Sequence, residues 1–201
     1  MSNVRSLAEL RGVREPGKRM RSRLLDAAVE LFKTQGLAGA SVADIAASAG
    51  AFPSQITYYF RTKEALFVEA ACREVLYVAK RAEEAAAQAP TGSAYNRRLV
   101  ETVIGSPGLA LFVEALSVTR RRQDLAPLIE RTFDRLHSQG DRAYGETRAR
   151  RGWSGGEDTA TTARRFWTLA LGIALREGAT GASSEEEVEE MLALLQTGRS
   201  A

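Results

Sequence analysis

The sequence predicts an all-α protein of about nine helices, with an N-terminal three-helix helix-turn-helix head and a C-terminal helical bundle. Apolar residues recur at spacings of three and four over most of the 201 residues. The stretches between them are clusters of Gly, Pro and Ser, which end helices. We find no alternating apolar and polar run bounded by turns, which would be typical of a strand, and no internal repeat.

The first helix of the predicted head extends from Lys18 to Thr34 and is followed by Gly36, which we expect to stop it. Its apolar stripe on one side is formed by Leu24, Ala28, Leu31 and Phe32. This spacing is typical of an amphipathic helix that packs one face against a core.

Two short helices follow. Ser41 is a predicted N-cap, and with Asp44 three residues later it forms a near capping box at the start of a helix that reaches about Ser48. Gly50 breaks the chain at a turn where a positive φ would strain any residue with a Cβ. The third helix covers about residues 53–60.

The residues of these two short helices divide into inward and outward sets. Ile45, Ala49 and Ile56 face inward, while Ala46 is small enough for a second helix to cross close above it. The outward polar set is Ser54, Gln55, Thr57 and Tyr58, which could enter a major groove. From spacing alone, an ordinary helical hairpin is an equally good interpretation.

The remainder is predicted to be helical as well. Thr62 caps a fourth helix over residues 63–88, which ends before Pro90. Further helices are expected at about residues 93–104, 107–121, 125–150, 159–177 and 184–196.

Charge is distributed unevenly, although the net charge is only +3. Residues 1–63 contain ten Lys and Arg against five Asp and Glu, whereas residues 64–201 contain eighteen against twenty. This favours a polyanion-binding module on a near-neutral body, with a merely solvated tail as the alternative. We therefore divide the chain into a flexible basic arm (1–17), a helix-turn-helix domain (18–63) and a helical C-terminal domain (64–201).

Six cations lie before the first helix or in its first turns, and we expect them to contact phosphates: Arg11, Arg14, Lys18, Arg19, Arg21 and Arg23.

Several classes of protein are disfavoured. One Cys and one His exclude an internal disulfide framework and a Cys-rich metal cluster, and no nucleophile or phosphate-loop motif is present. We therefore expect no enzyme activity, no metal and no cofactor. No apolar run approaches the ~18 residues that cross a bilayer, and the expected location is the cytoplasm.

The head resembles the tetracycline-repressor (TetR) family of bacterial regulators. The resemblance is carried by Ser41-Val42-Ala43-Asp44-Ile45-Ala46, by Ala49-Gly50, and by the run from Ile56 through Tyr58-Tyr59-Phe60 to Lys63-Glu64-Ala65-Leu66-Phe67. It covers about residues 18–70. The rest of the chain resembles the family only in length and helix content.

The resemblance implies DNA contacts at named positions. Ser41, Tyr58, Tyr59 and Lys63 would bind the phosphate backbone, and Pro53, Ser54, Gln55 and Thr57 would face base edges. Gln55 could pair with adenine, and the Thr57 methyl could touch a thymine methyl. Phe52 departs from the family because it replaces the usual Ser or Thr cap and cannot accept a hydrogen bond.

The last two helices are apolar over wide arcs, and the resemblance implies that they pair with their copies in a homodimer. The predicted dimer residues are Phe166, Leu169, Ile173, Val188, Met191, Leu192 and Leu195. The alternative is that these residues only complete the core of one chain.

An effector pocket is predicted in the C-terminal domain. Glu114 interrupts an apolar helix, so its carboxylate must reach solvent, a base or a ligand. The candidate lining residues are Phe112, Glu114, Phe133, His137 and Trp167, with core packing as the alternative for the aromatic ones.

Together these observations predict a DNA-binding, ligand-responsive repressor that binds a palindromic operator in double-stranded DNA as a homodimer. The expected effector is small and hydrophobic. The rival is a dimeric helical interaction protein without sequence-specific DNA binding. Salt-dependent DNA affinity would separate the two, because phosphate contacts weaken as salt rises.

Overall fold

The computed structural model describes residues 7–153, 157–181 and 185–196, which contain nine α-helices and no strand. The helices are α1 Leu7–Gly39, α2 Val42–Ser48, α3 Pro53–Phe60, α4 Lys63–Ala86, α5 Gly92–Val103, α6 Pro107–Thr119, α7 Ala126–Arg151, α8 Thr159–Thr180 and α9 Glu185–Gln196. A one-turn 3-10 helix, Gln123–Leu125, precedes α7. The all-α prediction is confirmed.

Helix α1 begins eleven residues earlier than predicted. The expected flexible arm is helical from Leu7 onward, with Pro16 inside the helix, while residues 1–6 lie outside the described residues. Residues 7–15 are mostly Leu, Ala, Glu and Arg, which favour helix, and Pro16 removes only one backbone N–H. The predicted break at Gly36 is confirmed, because this residue has φ 67° and ψ 178°.

The chain divides into two compact units, the first ending at Ala70 and the second beginning at Ala71. This boundary lies seven residues beyond the predicted one at residues 63 and 64, because the first turns of α4 belong to the core of the first unit. There Leu66 and Phe67 are fully buried, and the ring of Phe67 meets that of Phe32 edge to face at 4.9 Å. Such aromatic pairs contribute about 0.5–1.5 kcal/mol beyond their buried area.

The core of the first unit contains the residues that the sequence placed inward. Leu24, Ala28 and Phe32 of α1 are buried, as are Ile45 and Ala46 of α2 and Ile56 and Phe60 of α3. Ala46, with no exposed surface, is the small residue that α3 requires at its crossing with α2. The three-helix head is therefore built on the predicted apolar stripes.

In the second unit, α8 packs along α7 and α6, and α9 packs on α5 and α8. Gly108 permits a close approach of α6 to α4, because a Cβ there would lie 2.7 Å from Val78 and 2.8 Å from Glu74. An ion pair joins α5 to α9, with Nη1 and Nη2 of the Arg97 guanidinium donating to the Glu189 carboxylate. Exposed pairs of this kind contribute little stability, so buried apolar contacts hold this unit together.

Within the described residues, no single helix has the length and apolar character needed to cross a membrane. The two helices α5 and α6 pass that test only as a pair, which is bent by 65° at the break between them.

Candidate nucleic-acid interface and ligand cavity

The start of α2 is capped as predicted. Ser41 Oγ accepts a hydrogen bond from the Asp44 N–H at 3.0 Å and lies 2.6 Å from Asp44 Oδ2, to which it donates. Ser41 is exposed, so its hydroxyl is accessible at the N-terminal end of α2, where backbone N–H groups favour an anion such as phosphate.

The turn between α2 and α3 is held by a side chain from α1. Gly50 has φ 59°, which confirms the predicted left-handed backbone. Arg23 Nη2 donates a hydrogen bond to the Ala49 carbonyl at 2.5 Å, and a Cβ on Gly50 would lie 2.6 Å from the same nitrogen. Arg23 therefore braces the turn, whereas the sequence suggested only a phosphate contact for it.

A second cation expected to contact phosphate also has a structural partner. The Arg21 guanidinium pairs with the Glu69 carboxylate of α4, with Nη2 within 2.6 Å of Oε2, and lies 5.0 Å from the centre of the Phe60 ring. Arg21 thus ties α1 to α4 over the last residue of α3. Local sequence periodicity cannot reveal this role, because the ion pair joins residues 48 positions apart.

The N-terminus of α3 is capped in an unusual way. Phe52 is the N-cap and has no side-chain acceptor, but its backbone N–H donates to Gln55 Oε1 at 3.0 Å. Pro53 occupies the first helical position, where its missing N–H leaves nothing unpaired. Half of a capping box is therefore formed. The side-chain oxygen of Gln55, a residue predicted to pair with adenine, accepts a hydrogen bond from the start of its own helix.

The outer face of α3 is available to a partner. Pro53, Ser54, Thr57 and Tyr58 are all exposed, and Tyr58 has 78% of its surface accessible. Tyr59 is half-buried, with its ring 4.9 Å from that of Tyr58 in an edge-to-face contact. Five of the eight predicted DNA residues, these four and Ser41, thus lie on accessible surface of the first unit.

Lys63, the predicted phosphate ligand at the head of α4, has a structural role as well. Its Nζ donates to the carbonyl of Leu37 at 2.8 Å and to that of Ala40 at 3.1 Å, at the C-terminal end of α1. An ammonium group has three N–H donors, so one remains for a phosphate.

The second unit contains a cavity of about 50 Å³, partly open to solvent, between α4, α5, α7, α8 and α9. Four aromatic residues line it, together with aliphatic ones such as Leu99; the aromatic residues are Tyr95, Tyr144, Phe166 and Trp167. The polar groups that line it include Glu83 and Asn96. The cavity therefore combines an apolar wall with a few polar groups, which is typical of small-molecule sites.

Burial and charge act on two titratable groups of this cavity, Glu83 and Tyr95. Burial raises the pKa of Glu83 above its ordinary value, an effect that the charge of Arg142 opposes. Burial, with the negative charge of Glu83, raises the pKa of Tyr95 to about 12. Tyr95 therefore stays protonated and can donate a hydrogen bond, while Glu83 accepts protons and hydrogen bonds more readily than a solvated carboxylate.

Comparison with known families decides the identity of this arrangement. A family model described as bacterial regulatory proteins of the tetR family matches residues 24–70, and one described as bacterial transcriptional repressor C-terminal matches residues 92–196. The second match alone covers more than half of the 201 residues. The chain belongs to the TetR family of transcriptional regulators. No curated protein sequence matches it.

Solved structures agree with this assignment. A protein of Rhodococcus sp. RHA1, assigned as a transcriptional regulator, is 39% identical, with a TM-score of 0.76 over 90% of this chain and 95% of that one. The multidrug binding protein EbrR, solved with ethidium, is 27% identical, with a TM-score of 0.61 over 88% of this chain and 97% of that one. A TetR-family protein of Mesorhizobium loti, 21% identical with a TM-score of 0.67 over 90% of this chain and 95% of that one, shares the fold.

Most of the residues predicted to line the effector pocket of this TetR-family regulator lie outside the cavity. Of the five candidates only Trp167 lines it. Glu114 is exposed, and the ring of Phe133 contacts that of Phe112 edge to face, with centres 5.5 Å apart, and that of His137, with centres 5.8 Å apart. Those three therefore contribute to packing, and Glu114 reaches solvent. Tyr95, which lines the cavity, is also an aromatic residue of a predicted helix, but sequence spacing gives no reason to prefer it over Phe112.

Some of the predicted dimer residues are buried in the core of their own chain and are not on its surface. Phe166, Ile173, Met191 and Leu192 are buried within one chain, while Leu169, Val188 and Leu195 are half-buried. The large apolar side chains exposed on these two helices are Leu175 of α8 and Leu194 of α9, at 58% and 41%. Periodicity identified the apolar helices correctly but could not tell which arc faces the chain's own core.

Proposed function

We propose that this TetR-family regulator binds a palindromic operator as a homodimer, represses transcription from it, and releases it when a small hydrophobic effector enters the cavity of the second unit. The observation that carries the proposal is the braced α2–turn–α3 unit, whose outer α3 face is exposed. Its site of action is then the cytoplasm, where bacterial DNA lies, and its role is binding and not catalysis.

The proposed DNA contacts follow from exposure and donor chemistry. Ser54, Thr57 and Tyr58 on the open face of α3 present hydroxyl groups to base edges or phosphates. Ser41 at the head of α2 and the remaining N–H of Lys63 face the phosphate backbone. Because Gln55 and Arg23 are occupied within the head, we propose that they position α3 and contribute to DNA binding through it.

A matched pair of lysine variants tests the backbone contacts. Lys63→Met keeps the aliphatic stem but removes the charge, so DNA affinity should fall for all sequences and the slope of log affinity against log salt should decrease by roughly one. Lys80→Met removes an exposed charge elsewhere on α4, where Lys80 pairs with Glu84, and should change neither. An unchanged salt slope for Lys63→Met at reduced affinity would show that Lys63 acts only on the end of α1.

The proposed dimer interface is the exposed apolar side of α8 and α9. Leu175 and Leu194 are the large apolar side chains exposed there, and Gly172 and Ala179 on the same side of α8 are small enough to let a partner helix approach. A two-fold operator requires two copies of α3 about one DNA turn, roughly 34 Å, apart. A dimer provides that spacing with one set of self-complementary contacts.

The proposed effector is a small aromatic compound held by the walls of the cavity and by Glu83 or Asn96. At about 50 Å³ the cavity has room for a few water molecules only, whereas drug-sized ligands occupy about 300–1,000 Å³. Effector binding must therefore widen the gaps between α4, α5, α7 and α8. Since a ligand shifts an equilibrium only through its preference for one state, this widening links occupancy to the conformation of the second unit.

A thermal-shift series tests the effector site. EbrR, the similar protein solved with ethidium, makes ethidium a reasonable first probe, together with a neutral aromatic of equal size. Both should raise the melting temperature if aromatic walls dominate. Glu83→Gln keeps a hydrogen-bond acceptor but loses the charge, so a smaller shift for ethidium alone would assign Glu83 to the cation. No shift with either probe, together with no shift across a wider panel of hydrophobic compounds, would overturn this part of the proposal.

The alternative, a helical dimer that does not bind DNA, predicts a different outcome in one experiment. DNA selected from a random or genomic pool by the purified protein should become enriched in one palindromic sequence under our proposal. Under the alternative it should not, and any residual DNA affinity should lack sequence preference.

A further inference from the structure

Helix α3 is preceded by a large apolar side chain in solvent. Phe52 has 76% of its surface exposed, and its extended backbone, with φ −94° and ψ 147°, places it immediately before α3. An exposed Phe side chain forgoes the favourable free energy of removing its ring from water. Neighbouring apolar residues of the head, Ile56 and Phe60, are buried, so Phe52 is set apart from the core that they form.

The polar alternatives at this end of α3 are limited. Pro53 has no donor, and Gln55 Oε1 is occupied by the Phe52 N–H. The accessible neighbours Ser54 and Thr57 carry short hydroxyl groups, which form single hydrogen bonds and discriminate weakly between bases. The start of α3 is therefore poor in the paired donors and acceptors that usually specify a base.

We propose that Phe52 is a specificity-determining residue that recognises the 5-methyl group of a thymine in the operator. Residues at the N-terminus of a recognition helix are those that meet base edges in the major groove. The thymine methyl is the apolar group on those edges, and Phe is one of the side chains that contact it. This inference rests on the proposed function, because it requires α3 to enter the major groove.

The hydrogen bond between Phe52 and Gln55 gives the contact its geometry. It fixes the backbone of Phe52 relative to the first turn of α3, so the Cβ from which the ring projects is held at the start of the helix. Gln55 is then a positioning residue for Phe52, and a base contact by Gln55 is not needed for specificity at this position.

Deoxyuridine substitution in the selected operator tests the proposal directly. Uracil pairs as thymine does but lacks the 5-methyl group, so each thymine of one half-site is replaced in turn and binding is measured by fluorescence anisotropy. For the wild-type protein, one replacement should weaken binding about fourfold, the factor that corresponds to one buried methyl-sized group. The same replacement should have no effect on Phe52→Ala, which binds the unmodified operator correspondingly less tightly.

Two further variants make the result specific. Thr57→Ser removes only the Thr57 methyl and should keep the sensitivity to the Phe52 thymine. Phe52→Leu should retain part of it, because an apolar side chain of similar reach remains. Equal melting temperatures would show that the exposed substitutions leave the fold intact.

The outcomes separate the two proposals. If an operator is selected but Phe52→Ala shows the same deoxyuridine sensitivity as wild type, or binds with unchanged affinity, the assignment of Phe52 is wrong while DNA binding stands. If no DNA sequence is enriched at all, the proposed function fails and this inference fails with it.

Discussion

The Gln55 side chain accepts a hydrogen bond from the backbone N–H of Phe52 at 3.0 Å, closing the first turn of α3. The usual partner in a capping box, a Ser or Thr at the N-cap, is absent, and among the described residues Gln55 supplies the side-chain hydrogen bond at this helix end. The Gln55 amide therefore affects both stability and the proposed function, because it stabilises the start of the helix that we propose reads DNA.

Replacing Gln55 by Ala should lower stability more than it changes base preference. Loss of a cap costs about 1 kcal/mol, which corresponds to roughly 2–4 °C in the melting temperature of a chain of this size. Operator affinity should fall for all operator variants, and the sensitivity to the thymine that Phe52 contacts should be reduced. Gln55→Glu keeps the acceptor at a helix N-terminus and should restore the melting temperature. A variant Gln55→Ala with wild-type stability but altered preference at one base pair would show that Gln55 reads DNA itself.

Gly50 and Arg23 should act as a coupled pair. Gly50→Ala places a Cβ at φ 59° and within 2.6 Å of Arg23 Nη2, so it adds backbone strain and displaces the Arg23 hydrogen bond to Ala49. We expect a loss of about 2 kcal/mol, of which the strain supplies roughly half. Urea unfolding of the two single variants and the double variant measures the coupling.

The double variant of this pair should be less destabilised than the sum of the single changes, because Arg23→Ala has already removed the bond that Gly50→Ala displaces. Strict additivity would contradict the bracing role of Arg23. Arg19→Ala, at an exposed cation of α1, is the control and should be nearly neutral.

Charge on the exposed side of α8 should abolish the proposed dimer. Leu175→Glu places two carboxylates opposite each other or in an apolar contact, so the protein should sediment as a monomer at micromolar concentration and lose most of its operator affinity. Arg131→Glu, an exposed change on α7, should sediment as wild type. A dimer that survives both Leu175→Glu and Leu194→Glu would place the interface on another surface.

The single histidine should give stability a distinct pH dependence. Burial, with the positive charge of Arg164, holds the pKa of His137 below its ordinary 6.5, while Asp134 acts in the opposite direction. The folded state therefore disfavours the protonated imidazole. The contribution of neutral His137 to the free energy of unfolding is complete above pH 6.5 and declines as the pH falls below that value. Urea unfolding between pH 7.5 and 5.5 should show this decline, and it should be reduced in His137→Gln. An equal decline in both proteins would assign it to other groups.

Local patterns were sufficient for the elements and the core of the head. Ile45, Ala46 and Ile56 are buried, Gly50 has the positive φ that its position required, and Gly36 interrupts α1. These properties depend on helical spacing and on the steric freedom of glycine, and both can be recognised from residues that are close together in the sequence.

Long-range contacts account for what the sequence could not provide. Arg23 meets Ala49, and Lys63 meets Leu37, across 26 residues of chain, so their structural roles are invisible to periodicity. Helix α8 is apolar on more than one side, so its sequence does not show whether Phe166 faces the core of its own chain or a partner. The cavity is formed by five helices, and only their packing shows that Glu83 borders it.

Selection of DNA from a random pool by the wild-type protein, followed by titration of the enriched sequence at several salt concentrations, tests the central claim most directly. Our account predicts a palindrome whose half-sites lie about 10 base pairs or a multiple of that apart, bound with an affinity that falls steeply with salt. The absence of any enriched sequence, or binding that is independent of salt, would contradict it.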